Sequence, residues 1–167
     1  MTTSTEQGKF PMFVATFFGA GLSPVAPGTV GSLAALPLAY FLLSIPTGLA
    51  MLAIAVLFLM GVWASNAVEA ALEQHDASLI VIDEVVGQCL VVVLLDVCLR
   101  GLVDTTLLLL LSFIAFRLFD IVKPWPVGWV DNEVEGGLGV MLDDAVAALL
   151  AVPFVAGGYL LFALTAI

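Results

Sequence analysis

The chain has 167 residues, of which 62% are hydrophobic and only 11% are charged. A soluble globular domain is about 45–50% apolar and about 25% charged, so this composition excludes an ordinary water-soluble domain. No Asp, Glu, Lys or Arg occurs between Lys9 and Glu69, or from Ala145 onward. Stretches of that length suit a bilayer core about 30 Å thick. The net charge of −10 argues against nucleic acid as a partner, because such binding needs a basic face.

We therefore expect an all-α, polytopic membrane bundle of about five spanning helices. Residues 10–21 are apolar but too short to cross a bilayer, so they predict a short interfacial or re-entrant segment. A loop rich in Gly and Pro follows at residues 21–32. The spanning helices are predicted at about residues 30–44, 49–73, 79–99, 102–122 and 140–164.

The breaks between these helices are also predicted from the sequence. Residues 75–78 separate the second helix from the third, and the prolines within residues 123–126 end the fourth helix. A long acidic loop with Asp131, Glu133 and Glu135 then precedes the fifth helix, in which Pro153 predicts a kink. One domain, residues 1–167, is expected.

Alternation of helix direction places most of the polar residues together. The start of the first, third and fifth helices and the end of the second and fourth must share one membrane face, which we call the site face. That face carries residues 21–32, Glu69, Glu73, Asp76, Asp83, Glu84, Arg117, Asp120, Lys123, Asp143 and Asp144. The opposite face keeps only Asp96, Arg100 and Asp104. Convergence of separate segments in this way indicates one site.

Five carboxylates dominate the site face near the membrane boundary: Asp83, Glu84, Asp120, Asp143 and Asp144. Ionisable groups are expensive there and are usually functional or paired. Like charges so close together need either a cation or protonation, and hard oxygen ligands suit Mg²⁺ or Mn²⁺. Plainer interpretations exist for each piece, since acidic residues complement a helix N-terminus and Lys123 could lie at the interface as a snorkelling residue.

The loop before the first helix adds a feature suited to anions. Gly28, Thr29, Gly31 and Ser32 would present backbone N–H groups and two hydroxyls at a helix N-terminus, which is a suitable phosphate cradle. Arg117 and Lys123 supply nearby positive charge. A carboxylate cluster for magnesium beside such a cradle predicts phosphoryl chemistry at a membrane surface.

Four sequence blocks carry a family resemblance. They are GAGLSPVAPGTVGSLAALP at residues 19–37, IVIDEVVG at 80–87, FRLFDIVKPWP at 116–126 and GGLGVMLDD at 136–144. With them, the chain resembles the phosphatidylglycerophosphatase A family of bacterial membrane lipid phosphatases. The resemblance implies Mg²⁺-dependent hydrolysis of phosphatidylglycerophosphate to phosphatidylglycerol and phosphate, in phospholipid biosynthesis.

The resemblance also implies which positions are functional. Matched motif by motif, they are Asp83, Glu84, Asp120, Lys123, Asp143 and Asp144, with Gly28, Thr29, Gly31 and Ser32 in the N-terminal block. We expect all five carboxylates to serve the metal, and Arg117 and Lys123 to bind the substrate phosphate with the N-terminal block. Residues 132–135 receive no role.

The mechanism is left partly open at this stage. Metal-assisted attack by water is the simplest route, with the base not assigned among Asp83, Glu84, Asp120 and Asp143, and with Lys123 stabilising negative charge. Attack by an aspartate, giving an aspartyl-phosphate, is an alternative. A small divalent-cation transporter or channel is the competing function, although it would need polar residues throughout the span.

The basic residues predict the orientation. Lys9, Arg117 and Lys123 lie on the site face and Arg100 on the other, so the positive-inside rule places the site in the cytoplasm. The resemblance agrees, because that family's substrate is made on the cytoplasmic leaflet of the bacterial inner membrane. The expected partners are this phospholipid substrate and the lipid bilayer, and no protein partner can be inferred.

Overall fold

The computed structural model describes residues 9–74 and 77–165. Within these residues it contains seven α-helices, one short 3₁₀ helix and no strand, which confirms the all-helical prediction for this part of the chain. The elements are α1 (Lys9–Ala15), the 3₁₀ helix (Ala20–Leu22), α2 (Pro27–Leu42), α3 (Thr47–Leu72), α4 (Ile82–Leu99), α5 (Thr105–Val122), α6 (Val127–Glu133) and α7 (Gly136–Thr165). The predicted break at residues 75–78 includes His75 and Asp76, which lie outside the described residues. The prediction that Asp76 lies on the site face therefore also falls outside them.

Three helices, α3, α5 and α7, are long and apolar enough to cross a membrane. Helix α2 is apolar but has only 16 residues. Helix α4 has 18 residues, yet Asp83, Glu84 and Asp96 all lie within it. The architecture therefore fits a membrane helical protein, and the prediction of five crossings exceeds the three helices that meet these criteria.

Helix α4 lies at the centre of the bundle. It packs against α2, α3, α5 and α7, and most of its side chains are buried, whereas the surrounding helices expose many large apolar side chains to the outside. Small residues allow the close approach, as in many membrane bundles. Gly87 of α4 faces the Phe116 ring, and Gly31 of α2 faces Val81. The first turn of α4, with its two carboxylates, is thereby held inside the protein.

Two helices begin earlier than the sequence predicts. Helix α2 begins at Pro27, three residues before the predicted start near residue 30, so the loop prediction is wrong for residues 27–29. A proline in the first turn has a preset φ and lacks only an N–H that the helix does not use. Helix α7 begins at Gly136 rather than near residue 140. There Asn66 Oδ1 of α3 accepts a 2.9 Å hydrogen bond from the Gly137 N–H and so caps the helix.

Other boundaries differ by a few residues. Helix α4 begins at Ile82, three residues later than predicted. Helix α5 begins at Thr105, because the Asp104 side chain caps it by accepting hydrogen bonds from the N–H groups of Thr106 and Leu107. The end of α5 at Val122 agrees with the prediction. The segment predicted as interfacial forms α1 and the 3₁₀ helix, and α1 packs against α3. Helix α7 continues through Pro153.

A short helix replaces most of the predicted acidic loop. Residues Val127–Glu133 form α6, which packs against α7 and has Val127 and Val130 buried. The prediction of an irregular loop here is wrong for these residues. Helix α6 begins four residues after Lys123 and is therefore held close to the site.

The close contact at Gly87 can be tested by substitution. A Cβ at Gly87 would lie 2.5 Å from two ring carbons of Phe116 and 3.1 Å from the Asp144 carbonyl oxygen. We expect Gly87→Ala to lower the free energy of unfolding by about 1–3 kcal/mol, the usual cost of overpacking. The measurement is the thermal midpoint of the detergent-purified protein.

Gly157→Ala is the matched control, because Gly157 lies within α7 and has no atom within 4 Å of a built Cβ. Alanine is favoured over glycine in helices, so this variant should keep or raise the midpoint. Equal midpoints for the two variants would contradict the packing described for α4.

Candidate active site

A cavity of about 380 Å³ opens at the end of the bundle where four helix termini meet. Every predicted catalytic residue lines it. The lining residues are Ala26, Pro27, Gly28, Ser78, Ile80, Asp83, Glu84, Arg117, Asp120, Ile121, Lys123, Asp143 and Asp144. They come from the start of α2, the segment before α4, the first turn of α4, the end of α5 with the residue that follows it, and the third turn of α7. The alternating topology predicts this convergence, except that Glu69 and Glu73 at the end of α3 do not line the cavity.

Most of the predicted phosphate cradle does not line the cavity. Thr29, Gly31 and Ser32 are not lining residues. Ser32 is fully buried, and its Oγ donates to the Gly28 carbonyl at 3.0 Å and accepts from Arg117 Nη1 at 3.5 Å. Gly31 is the position where α2 approaches Val81. Of the four predicted residues only Gly28 faces the cavity.

Gly28 leaves room for charged side chains. A Cβ at this position would overlap Glu84 Oε1 and would lie 3.3 Å from Arg117 Nη1. The first turn of α2 can therefore approach this pair only because residue 28 has no side chain. Its exposed helix N-terminus adds partial positive charge to the same wall.

Three carboxylates form a compact cluster: Asp83, Glu84 and Asp144. One oxygen from each lies within 4.8 Å of the others. Asp83 Oδ1, Glu84 Oε2 and Asp144 Oδ2 are buried and have no hydrogen-bond partner among the described residues. Buried charges without partners are costly, and like charges so close repel. Three hard oxygen donors of this kind fit a divalent cation such as Mg²⁺.

The other two predicted metal ligands are engaged by basic side chains. Asp120 pairs with Arg117 Nη1, which also lies 3.7 Å from Glu84 Oε1. Asp143 Oδ2 accepts a 2.8 Å hydrogen bond from Lys123 Nζ, and its Oδ1 accepts from the Asp144 N–H at 2.9 Å. Asp120 and Asp143 thus lie beside the cluster of three and hold the two basic residues against the cavity.

Lys123 occupies the exit of α5. Its backbone is left-handed, with φ +46°, and Pro124 follows it, so the helix cannot continue. Burial alone would lower the pKa of the Lys123 ammonium, but its hydrogen bonds to Asp131 and Asp143 outweigh this and raise the pKa above the usual lysine value. Lys123 is therefore a permanent positive charge on the cavity wall.

Sequence reasoning missed one residue of this network. Asp131 Oδ1 accepts a hydrogen bond from Lys123 Nζ, although the sequence places Asp131 in a loop without a role. Pro124 and Pro126 indicate the end of α5, but proline is also favoured at helix starts. That second signal points to α6 and to the contact that it makes.

Comparison with known proteins identifies the family of the chain. A family model described as phosphatidylglycerophosphatase A matches residues 13–158. The phosphatidylglycerophosphatase A of Escherichia coli K12 is 36% identical over 83% of this chain and 77% of its own length. That of Haemophilus influenzae is 37% identical over 83% of this chain and 82% of its own.

A third relative differs in name. A Bacteroides thetaiotaomicron protein with a provisional phosphatidylinositol-3-phosphatase name is 38% identical over 83% of this chain and 87% of its own length. No solved structure matches the chain. With a family model covering most of its length and relatives above 30% identity, this chain belongs to the phosphatidylglycerophosphatase A family.

Proposed function

We propose that this protein is a Mg²⁺-dependent phosphatidylglycerophosphatase of the bacterial inner membrane. It would hydrolyse the phosphomonoester of phosphatidylglycerophosphate and release phosphatidylglycerol and inorganic phosphate. The observation that carries the proposal is the cluster of Asp83, Glu84 and Asp144, beside two basic residues, in a chain of this family.

The charge balance of the cavity supports a metal-dependent phosphatase. Five carboxylates line it, against Arg117 and Lys123, and both basic residues are already paired with carboxylates. A phosphomonoester dianion would be repelled by such a cavity. A bound divalent cation is the largest local charge in a site of this kind and reverses that repulsion.

The residues can be given roles on this basis. Asp83, Glu84 and Asp144 would hold the metal, which when bound would neutralise phosphate charge and lower the pKa of a bound water. Lys123 and Arg117 would orient the phosphate oxygens and stabilise the charge that develops on them. A cavity carboxylate among Asp83, Glu84, Asp120 and Asp143 would take the proton of the attacking water, with aspartyl-phosphate formation as the alternative route.

The position of the cavity suits a lipid headgroup. It lies at one end of helices that expose apolar side chains. Trp125 and Trp129, both exposed, lie two and six residues after Lys123. Tryptophan is enriched where a membrane meets water. A phospholipid could thus present its phosphate to the cavity while its acyl chains stay in the bilayer, on the cytoplasmic side according to the basic residues.

Nothing in the comparisons supports the transporter alternative. On the far side of the described bundle, Arg100 pairs with Asp96 at 2.6 Å and Asp104 caps α5. Among the described residues, no second carboxylate cluster lies on that side, because Asp96 pairs with Arg100 and Asp104 caps a helix.

The proposed function is tested by phosphate release from purified protein in mixed micelles. We expect Mg²⁺-dependent release from phosphatidylglycerophosphate, abolished by EDTA and restored by excess Mg²⁺. Phosphatidylinositol 3-phosphate and soluble glycerol 3-phosphate serve as competing substrates. Preference for either of these, or release that is indifferent to EDTA, would contradict the proposal.

Carboxylate variants extend the same assay. Asp83→Asn, Glu84→Gln, Asp120→Asn, Asp143→Asn and Asp144→Asn keep side-chain shape and remove charge, and most should lose activity by orders of magnitude while still inserting. Glu133→Gln and Glu135→Gln are matched controls, because both residues are exposed, and they should retain activity. Near-normal turnover in three or more of the first five would refute the carboxylate site.

Lys123 gives a separate prediction. A membrane anchor needs only positive charge, whereas a phosphate ligand depends on shape, in which Arg and Lys differ. We expect Lys123→Ala to insert normally and lose most turnover, and Lys123→Arg to be impaired as well. The measurement is Mg²⁺-dependent phosphate release per mole of folded protein, and normal turnover in Lys123→Ala would reduce Lys123 to an interfacial residue.

A further inference from the structure

We propose that Asp131 is a positioning residue that fixes the Lys123 ammonium for phosphate binding; the proposal rests on the proposed function. Asp131 is not a lining residue of the cavity, whereas Lys123 is. The Asp131 side chain reaches the site through its hydrogen bond from Lys123 Nζ. It belongs to α6, the helix that replaces a predicted loop.

Helix α6 is built to bring Asp131 to this contact. Its first turn lies against the backbone of Lys123, where a Cβ at Gly128 would lie 2.8 Å from the Lys123 carbonyl oxygen. Asp131 is three residues further on and therefore lies on the same helix face as Gly128. Val127 and Val130 are buried on an adjoining face of α6 and anchor the helix. The short helix thus has a fixed position relative to Lys123.

The hydrogen-bond geometry explains what Asp131 contributes. A lysine ammonium has three donors on a flexible four-carbon stem. Asp131 takes one donor and Asp143 takes a second, which leaves the third for an oxygen in the cavity. The two carboxylates come from different helices, α6 and α7, so together they restrict a side chain that either one alone would leave mobile. Without Asp131, Lys123 would keep Asp143 as its one acidic partner among the described residues.

The test is a double-mutant cycle with Asp131→Asn and Lys123→Ala, made singly and together. Outer partners that orient metal ligands are typically worth about 10–100-fold. Asp131 orients Lys123 in a comparable way, so we expect Asp131→Asn to lower kcat/KM for phosphatidylglycerophosphate by about tenfold. In the Lys123→Ala background the same change should have no further effect, since residues in one network are not additive. Asp131→Glu, which keeps the carboxylate, should recover most of the loss.

Inorganic phosphate provides a second readout that does not depend on turnover. Its dissociation constant, measured with Mg²⁺ by equilibrium dialysis, should rise several-fold in Asp131→Asn and should not rise further when Lys123→Ala is already present. Glu133→Gln on the same helix is the matched control for both readouts. The thermal midpoint of each variant shows whether the fold is intact.

The outcomes separate the two proposals. If wild-type protein releases no phosphate from phosphatidylglycerophosphate, the proposed function fails, and the phosphate-binding cycle alone decides the role of Asp131. Independent, additive losses in the cycle, or wild-type values for Asp131→Asn in both readouts, would overturn the positioning role. A loss that Asp131→Glu fails to recover and that follows the thermal midpoint would show a merely structural residue and would overturn it as well.

Discussion

The mutual repulsion of Asp83, Glu84 and Asp144 is the constraint on which the rest of the structure depends. Their oxygens lie within 4.8 Å of each other, and one oxygen of each is buried without a hydrogen-bond partner in the described chain. Such an arrangement costs free energy in a protein interior, so the surrounding bundle must hold it in place. A divalent cation bound by these carboxylates would offset that cost and would at the same time convert an acidic cavity into one that attracts phosphate.

The bundle holds the cluster by placing its helices close together around α4. The absence of a side chain at Gly87 leaves space for the Phe116 ring, and the Asp144 carbonyl oxygen of α7 lies close to the same glycine. Asn66 of α3 caps α7 just before its carboxylates. Around the cluster, each basic side chain is held by two acidic ones, Arg117 by Asp120 and Glu84, and Lys123 by Asp143 and Asp131. The same contacts therefore fix both the carboxylates that would hold a cation and the basic groups that would meet the phosphate.

Much of this could be predicted from the sequence, because long apolar stretches give the helices and alternation of direction brings Asp83, Asp120 and Asp143 to one end. Contacts between helices could not be predicted, since they depend on how closely the backbones approach. Ser32 thus supports Arg117 instead of lining the cavity. Helix α6 was not predicted because its seven residues are too few to show a periodic apolar pattern. The contact of Asp131 with Lys123 was not predicted for the same reason.

The central claim is that the buried carboxylates form a divalent-cation site, and direct metal binding tests it. Mn²⁺ is titrated into detergent-purified protein and the free ion is followed by electron paramagnetic resonance. The account predicts saturable binding that Mg²⁺ competes away, that Asp144→Asn abolishes and that Glu133→Gln preserves. Binding by Asp144→Asn equal to that of the wild type, or no saturable binding by the wild type, would contradict the account.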